Sequence, residues 1–122
     1  MLLPTCALIV VAIVVCSLRV RGRPWHRNNY SQRWIDGWAG THYGHGLVLY
    51  GLVKMLFHME PVDLLSIVIM AEACWESFEN RNWVINYFRG AGDKNYYGDS
   101  LANSGVDLLA CVLGAITMVF LI

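Results

Sequence analysis

An all-α membrane protein, with four transmembrane helices in an up-and-down bundle, is the fold class this sequence predicts, and three observations predict it. The 122 residues are 57% hydrophobic and 15% charged, with a mean hydropathy of +0.45, far from the balance of a soluble domain. Four apolar stretches have lengths near the roughly 20 residues that a helix needs to cross the hydrocarbon. Eight of the nine Lys and Arg fall between the first and second stretches or between the third and fourth, which an alternating topology places on one side. No repeat, low-complexity tract or linker divides the chain, so residues 1–122 read as one polytopic domain.

The first helix is expected over residues 2–18, almost wholly aliphatic and closed by Arg19. Its positive charges follow the apolar run and no small-residue cleavage site precedes Arg19, so it reads as a retained span in preference to a signal peptide. The second is expected over residues 38–57, carrying His42, His45 and Lys54, the last near enough to the end to snorkel outward. The third covers 62–80, opened by Pro61 in a first-turn position and carrying Glu72, Glu76 and Glu79 near its close. The fourth covers 99–122, with Asn103, Ser104, Asp107 and Thr117 as its polar residues. Residues 82–98 are too short and polar to span, and Trp83, Ile85, Tyr87 and Phe88 predict an interfacial element there. Cys6, Cys16, Cys74 and Cys111 have no CxxC spacing and read as small core residues. Gly44, Gly46 and Gly51 read as notches for close helix approach.

The positive-inside rule puts the basic loops, with Arg19, Arg21, Arg23, Arg27, Arg33, Arg81, Arg89 and Lys94, in the cytoplasm and both termini on the opposite side. Trp25, Trp34, Trp38, Trp83, Tyr87, Tyr96 and Tyr97 crowd the basic side, as interfacial anchors do. A bacterial inner membrane is the expected location. The Arg-rich first loop is accounted for by topology and anionic lipid, so no nucleic-acid partner is expected.

Polar residues inside the spans are sorted by face. Glu72, Glu76 and Glu79, at i, i+4 and i+7, form one stripe that Asn80 extends; Asp99, Asn103 and Asp107 form another; His42 and His45 add a third. Counting at about 1.5 Å per residue from a common level predicts three layers. His42, Glu79 and Asp99 come outermost, then His45, Glu76 and Asn103, and deepest Glu72 with Asp107, a buried acid pair with no basic partner. One charged carboxylate at mid-bilayer costs on the order of 2.5–3.5 kcal/mol. Several must therefore face inward and satisfy one another or a ligand. Interhelical hydrogen bonding accounts for Asn103, Ser104 and Thr117, but five acids and two histidines converging on one mouth point to function.

Two imidazoles and several carboxylates are a donor set for Zn²⁺ or a non-haem transition metal. The expected metal ligands are His42, His45, Glu76 and Asp99, with His45 ahead of His42 because it lies a turn deeper. Glu76, Glu79 and Asp99 are the expected catalytic carboxylates, a spare Glu acting as general base on bound water. Arg81, Arg89, Asn80 and Asn103 are the expected binding residues, the arginines toward a lipid phosphate. A metal-dependent hydrolase of membrane lipid or an envelope precursor is one function this predicts. The alternative is a non-catalytic accessory or scaffold subunit among other membrane proteins, whose stripes only lock its helices. HExxH, GxSxG and P-loop signatures, which would favour an enzyme outright, are absent.

The stretches "HYGHGLVLYG", "EACWESFEN" and "YYGDSLANSGVD" resemble, in order and spacing, the HxxHGxxxYG, ExxWExxEN and YYGDSxxNSxxD signatures of an uncharacterised family of bacterial integral membrane proteins, a domain of unknown function found especially in alphaproteobacteria. The pattern falls on His42, His45, Gly46, Glu72, Trp75, Glu76, Glu79, Asn80, Tyr96, Tyr97, Gly98, Asp99, Asn103 and Asp107. Similarity to the VanZ-like membrane proteins is more distant, resting on a His near the start of one helix, a Glu ending another and a D-x-x-x-N opening the next. The resemblance implies a helical membrane fold and carries no established biochemistry.

Overall fold

The structure is a computed structural model describing residues 2–21 and 34–122. Among these residues there are five helices and no strand: α1 (Leu2–Arg21), α2 (Ala39–Leu56), α3 (Pro61–Glu79), α4 (Asn82–Gly90) and α5 (Leu101–Leu121). The basic residues Arg23, Arg27 and Arg33, and Trp25, lie outside the described residues. The all-α class and the positions of the four long helices agree with the sequence expectation, to within three residues at each end. Only α5 is both long and apolar enough to cross a membrane among the described helices, and α1 contains the shorter apolar stretch Leu2–Leu18. The ionisable residues of α2 and α3 lower the apolarity of those two helices.

Local chemistry sets the boundaries. Asp36 Oδ1 accepts the Trp38 N–H at 2.8 Å, fixing the chain as it enters α2. Phe57 is extended and its N–H bonds back to the Val53 carbonyl, closing α2. Glu60 is also extended and Pro61 follows in the first turn of α3, where its missing N–H costs nothing. Ser100 caps α5, its hydroxyl accepting the Asn103 N–H at 3.1 Å. Gly98, with φ +87°, turns the chain immediately before Asp99 in the left-handed region open to glycine. In α4, Val84 and Ile85 are buried while Trp83 and Tyr87 are exposed, so the expected element between the last two long helices is a short amphipathic helix.

Two glycines fix the helix register. A Cβ on Gly46 would collide with the Cys111 carbonyl and lie 2.8 Å from the Ala115 nitrogen; one on Gly114 would collide with the Tyr43 carbonyl and lie 3.1 Å from the Leu47 nitrogen. The backbones of α2 and α5 therefore touch. Contacts advance together along both helices, from His42 beside Asp107 to Gly51 beside Met118, so the pair runs parallel. The Tyr43 hydroxyl donates to Thr117 at 3.0 Å and Lys54 Nζ to the Ile122 carbonyl at 2.9 Å, on the same seam. Gly44, expected as a notch, faces open space. α3 packs back antiparallel across the turn at 57–60, and α1 lies mainly on α3.

The interior has two halves. Tyr50, Leu64, Val68, Cys111 and Ala115 form a fully buried apolar cluster. Toward the loops at 36–38 and 91–100 the same helices instead bury His42, Glu72, Glu76, Asn103 and Asp107. Of the cysteines only Cys111 is buried; Cys16 and Cys74 are exposed, so the core reading fails for those two.

Candidate metal centre

His42, in the first turn of α2, is held against α5 by the Gly46 contact and is 4% exposed. Its Nδ1 makes a short contact with Glu72 Oε1 and lies 3.7 Å from Glu76 Oε1, while its Nε2 lies 3.8 Å from Asp107 Oδ2. The expected layering is thus shifted by about two helical turns: His42, expected in the outermost layer, meets Glu72 and Asp107, the layer expected to be deepest. The acid pair accordingly has a basic partner. The count assumed that the helices start level, whereas the Gly46 and Gly114 contacts set α2 deeper beside α5. His45 differs from His42 by the helix face it occupies and not by depth. Its side chain is 38% exposed and 3.6 Å from Glu72 Oε2, with its ring edge-on to His42 and Trp75. Burial therefore favours His42 as the inner ligand and His45 as the outer one, reversing the expected order.

The acidic residues divide by how they are held. Asp99 is fixed from several directions: Asn80 Nδ2 donates to its Oδ2 at 2.9 Å, Tyr96 donates to the same oxygen at 3.2 Å, and its own N–H donates to Asn80 Oδ1 at 2.7 Å. Burial, and next the Asp99 charge, push the Tyr96 phenol above its ordinary range, so it remains a donor at neutral pH. Asn80 also donates to the Glu76 carbonyl at 3.0 Å, which makes it the clasp between the end of α3 and the start of α5. Glu76 is treated differently. It is 2% exposed, and neither carboxylate oxygen has a hydrogen-bond partner; Asp107 Oδ1 and both amide atoms of Asn103 are in the same state. Ser104 stands beside Glu76, and its hydroxyl too lacks a well-formed bond.

Three donor groups can each surround an ion, their ligand atoms lying within 4.8 Å of one another: His42, His45 and Glu72; His42, Glu76 and Asp107; Glu76, Glu79 and Asp99. His42 and Glu76 are each shared by two groups. The cluster opens to a cavity of about 270 Å³ whose walls include Asp36, Trp38, Trp75, Phe88 and Tyr96. No Lys or Arg lines it among the described residues. Arg81 is exposed and lines a separate groove with Val10, Ile13 and Trp83; Arg89 is exposed, its guanidinium 4.4 Å over the Tyr97 ring. The structure thus gathers His42, His45, Glu72, Glu76, Glu79, Asp99 and Asp107, and leaves the two arginines outside.

Ser104 and Asp36 were not singled out as site residues from sequence. Ser104 is three residues before Asp107 and so shares its face, a spacing that could have identified it. Asp36 reads as loop, yet its Oδ2 is buried in the cavity region without a partner.

Comparison with known families matches residues 7–121 to the model described as "Protein of unknown function (DUF2585)". The chain belongs to this family. It is 32% identical over 121 residues to an UPF0314 protein of Sinorhizobium fredii, covering 86% of this chain and 61% of that one, and shows the same identity and coverage against one from Rhizobium meliloti. An UPF0314 protein of Brucella anthropi is 34% identical over 86 residues, covering 69% of this chain and 44% of its own. The chain thus spans about three fifths of the length of the first two relatives. No solved structure matches. The family match does not extend the VanZ-like likeness.

Proposed function

We propose that the protein is a single-domain integral membrane protein whose His/Glu/Asp cluster binds a divalent transition metal and hydrolyses a membrane-lipid or envelope-precursor ester at the cytoplasmic face. The observation that carries the metal is the spacing around His42. At 3.8 Å its Nε2 is too far from Asp107 for a hydrogen bond. Two ligands each about 2.0–2.2 Å from a shared zinc stand roughly 3–4 Å apart. Glu72 on Nδ1 supplies the carboxylate that orients a metal-binding imidazole and leaves Nε2 to the ion. The unpartnered oxygens of Glu76 and Asp107 complete a donor set that protein groups leave unsatisfied.

Membrane placement is supported by the inversion of inside and outside. Glu72, Glu76 and Asp107 are at most 2% exposed, while Leu8 is 73%, Val48 61%, Val62 56% and Leu113 50% exposed. Soluble proteins seldom bury that many carboxylates beneath outward-facing aliphatic side chains. In this reading α1, α2, α3 and α5 span, α4 lies at the interface, the loops near the cluster face the cytoplasm, and both termini face the opposite side.

For hydrolysis His42, Glu76 and Asp107 would hold the ion, which would supply Lewis acidity toward an ester oxygen and toward a water. Glu79, the least buried of the cluster carboxylates on α3, lines the cavity and would serve as the general base where a single ion is held by His42, Glu76 and Asp107. Asp99, clasped by Asn80 and Tyr96, positions the outer part of the cluster. A non-catalytic scaffold is the second reading, and the Asn80–Asp99 clasp is what favours it, since it joins α3 to α5 without any ion. Purified detergent-solubilised protein should retain zinc or manganese, lose it in His42→Ala, and release product from a lipid extract. Metal-free wild-type protein that still supports assembly of a larger complex would favour the scaffold.

A further inference from the structure

Glu76 stands in two of the three donor groups: with His42 and Asp107 on its inner side, and with Glu79 and Asp99 on its outer side. Its two carboxylate oxygens are buried and neither makes a well-formed hydrogen bond, with the Ser104 hydroxyl standing beside them. A carboxylate with both oxygens free, placed between two donor sets, is suited to bind one ion through each oxygen. We infer that the cluster holds two divalent cations side by side, bridged by Glu76. The inference rests on the metal-binding reading above and specifies how many ions that site takes.

Charge supports the pair. Glu72, Glu76, Glu79, Asp99 and Asp107 bring five carboxylates together, and no Lys or Arg lines the cavity among the described residues. One divalent ion leaves a large excess of negative charge in a low-dielectric interior, whereas two come close to balance. A second observation is independent of the acids. Asn103 is fully buried, lies on the α5 face of Asp107 one turn nearer the mouth, and has neither its amide oxygen nor its nitrogen partnered. A buried, unpaired amide costs about 1–3 kcal/mol, a penalty removed if it meets an ion or an ion-bound water.

The two positions differ in chemistry. The inner one offers an imidazole and two carboxylates, the outer one carboxylates alone, so the outer ion should favour Mn²⁺ or Mg²⁺ over softer metals. Pairs of this kind usually stand about 3.5–4 Å apart and clamp the attacking and leaving oxygens of an in-line displacement. The ligand class that matches is a phosphate ester. In a cavity ringed by carboxylates and lacking Lys or Arg among its described walls, a phosphoryl anion needs cations in place first.

The test is Mn²⁺ stoichiometry of the full chain, dialysed against micromolar MnCl₂ and read by elemental analysis, with electron paramagnetic resonance to detect exchange coupling. Wild type should hold about two Mn²⁺ per chain with a coupled spectrum. Glu79→Gln, near-isosteric and only half-buried, should keep one ion and lose the coupling. Glu76→Gln should lose the coupling and most of the metal, with helicity checked by circular dichroism. One uncoupled Mn²⁺ in the wild type, unchanged by Glu79→Gln, would overturn the bridged pair and leave the single-metal reading intact. No bound Mn²⁺ or Zn²⁺ in the wild type would overturn both.

Discussion

The apolar and polar halves of this bundle are built on the same three helices and held by opposite means. Around Tyr50, Leu64, Val68 and Cys111 the contacts are aliphatic and aromatic, fully buried. One or two turns away, His42, Glu72, Glu76, Asn103 and Asp107 are as deeply buried, yet several of their polar atoms meet no partner. The apolar half leaves one buried polar atom without a partner, the Tyr50 hydroxyl, whereas in the polar half Glu76, Asn103, Ser104 and Asp107 each leave at least one. A structural hydrogen-bond network would be closed, as the Asn80–Asp99–Tyr96 clasp at its edge is. The open part lies inside the clasp, where a ligand would be enclosed.

Both halves depend on the α2–α5 seam, so the largest effect should come from separating those helices. Gly46→Val would drive a side chain into the Cys111 backbone and should cost about 3 kcal/mol or more, abolishing a cooperative melt in detergent together with any metal binding. Leu64→Ala, in the apolar half, should cost about 2–5 kcal/mol while leaving metal content unchanged; a loss of metal would show that the two halves are not separable. Asp99→Ala breaks the clasp and should cost about 1–3 kcal/mol, with Tyr96→Phe costing less. Tyr96 carries a pH signature. Because its phenol is raised in the folded state, its contribution is fully present below the unfolded value of about 10 and shrinks as pH rises beyond it. Alkaline unfolding curves of wild type and Tyr96→Phe should therefore converge above that point; curves that stay parallel would remove the Asp99 contact from the account. The smallest effect is expected at Gly44→Ala, which meets open space and should gain about 0.5–1 kcal/mol from helix propensity. Destabilisation there would mean that another chain covers that face.

The long helices were legible because apolar runs of spanning length are bounded by Arg19, Pro61 and the loop at 91–100. The convergence of His42, Glu72, Glu76 and Asp107 was legible because residues three and four apart share a helix face. Their level was not. Depth along a bundle depends on the stagger between helices, and here that stagger is set by backbone contact at Gly46 and Gly114, one marked in the sequence as a notch and the other indistinguishable from a tolerated helix glycine. An offset of about two turns put the His42 imidazole between Glu72 and Asp107, while the helix face on which His45 lies left its side chain partly exposed. The arginines were misplaced for a related reason: Arg81 caps α4 and Arg89 lies in its last turn, and with Val84 and Ile85 turned inward neither arginine lines the cavity.

The central claim is that the polar half is completed by a divalent cation. Its most direct measurement is thermal unfolding of wild type and Glu76→Gln after chelation, with and without added Mn²⁺ or Zn²⁺. Wild type should gain about 2.7 kcal/mol at a free ion concentration one hundred times the dissociation constant, and Glu76→Gln should gain little. A wild-type melt indifferent to chelator and to both ions, with Glu76→Gln equally or more stable, would contradict the account.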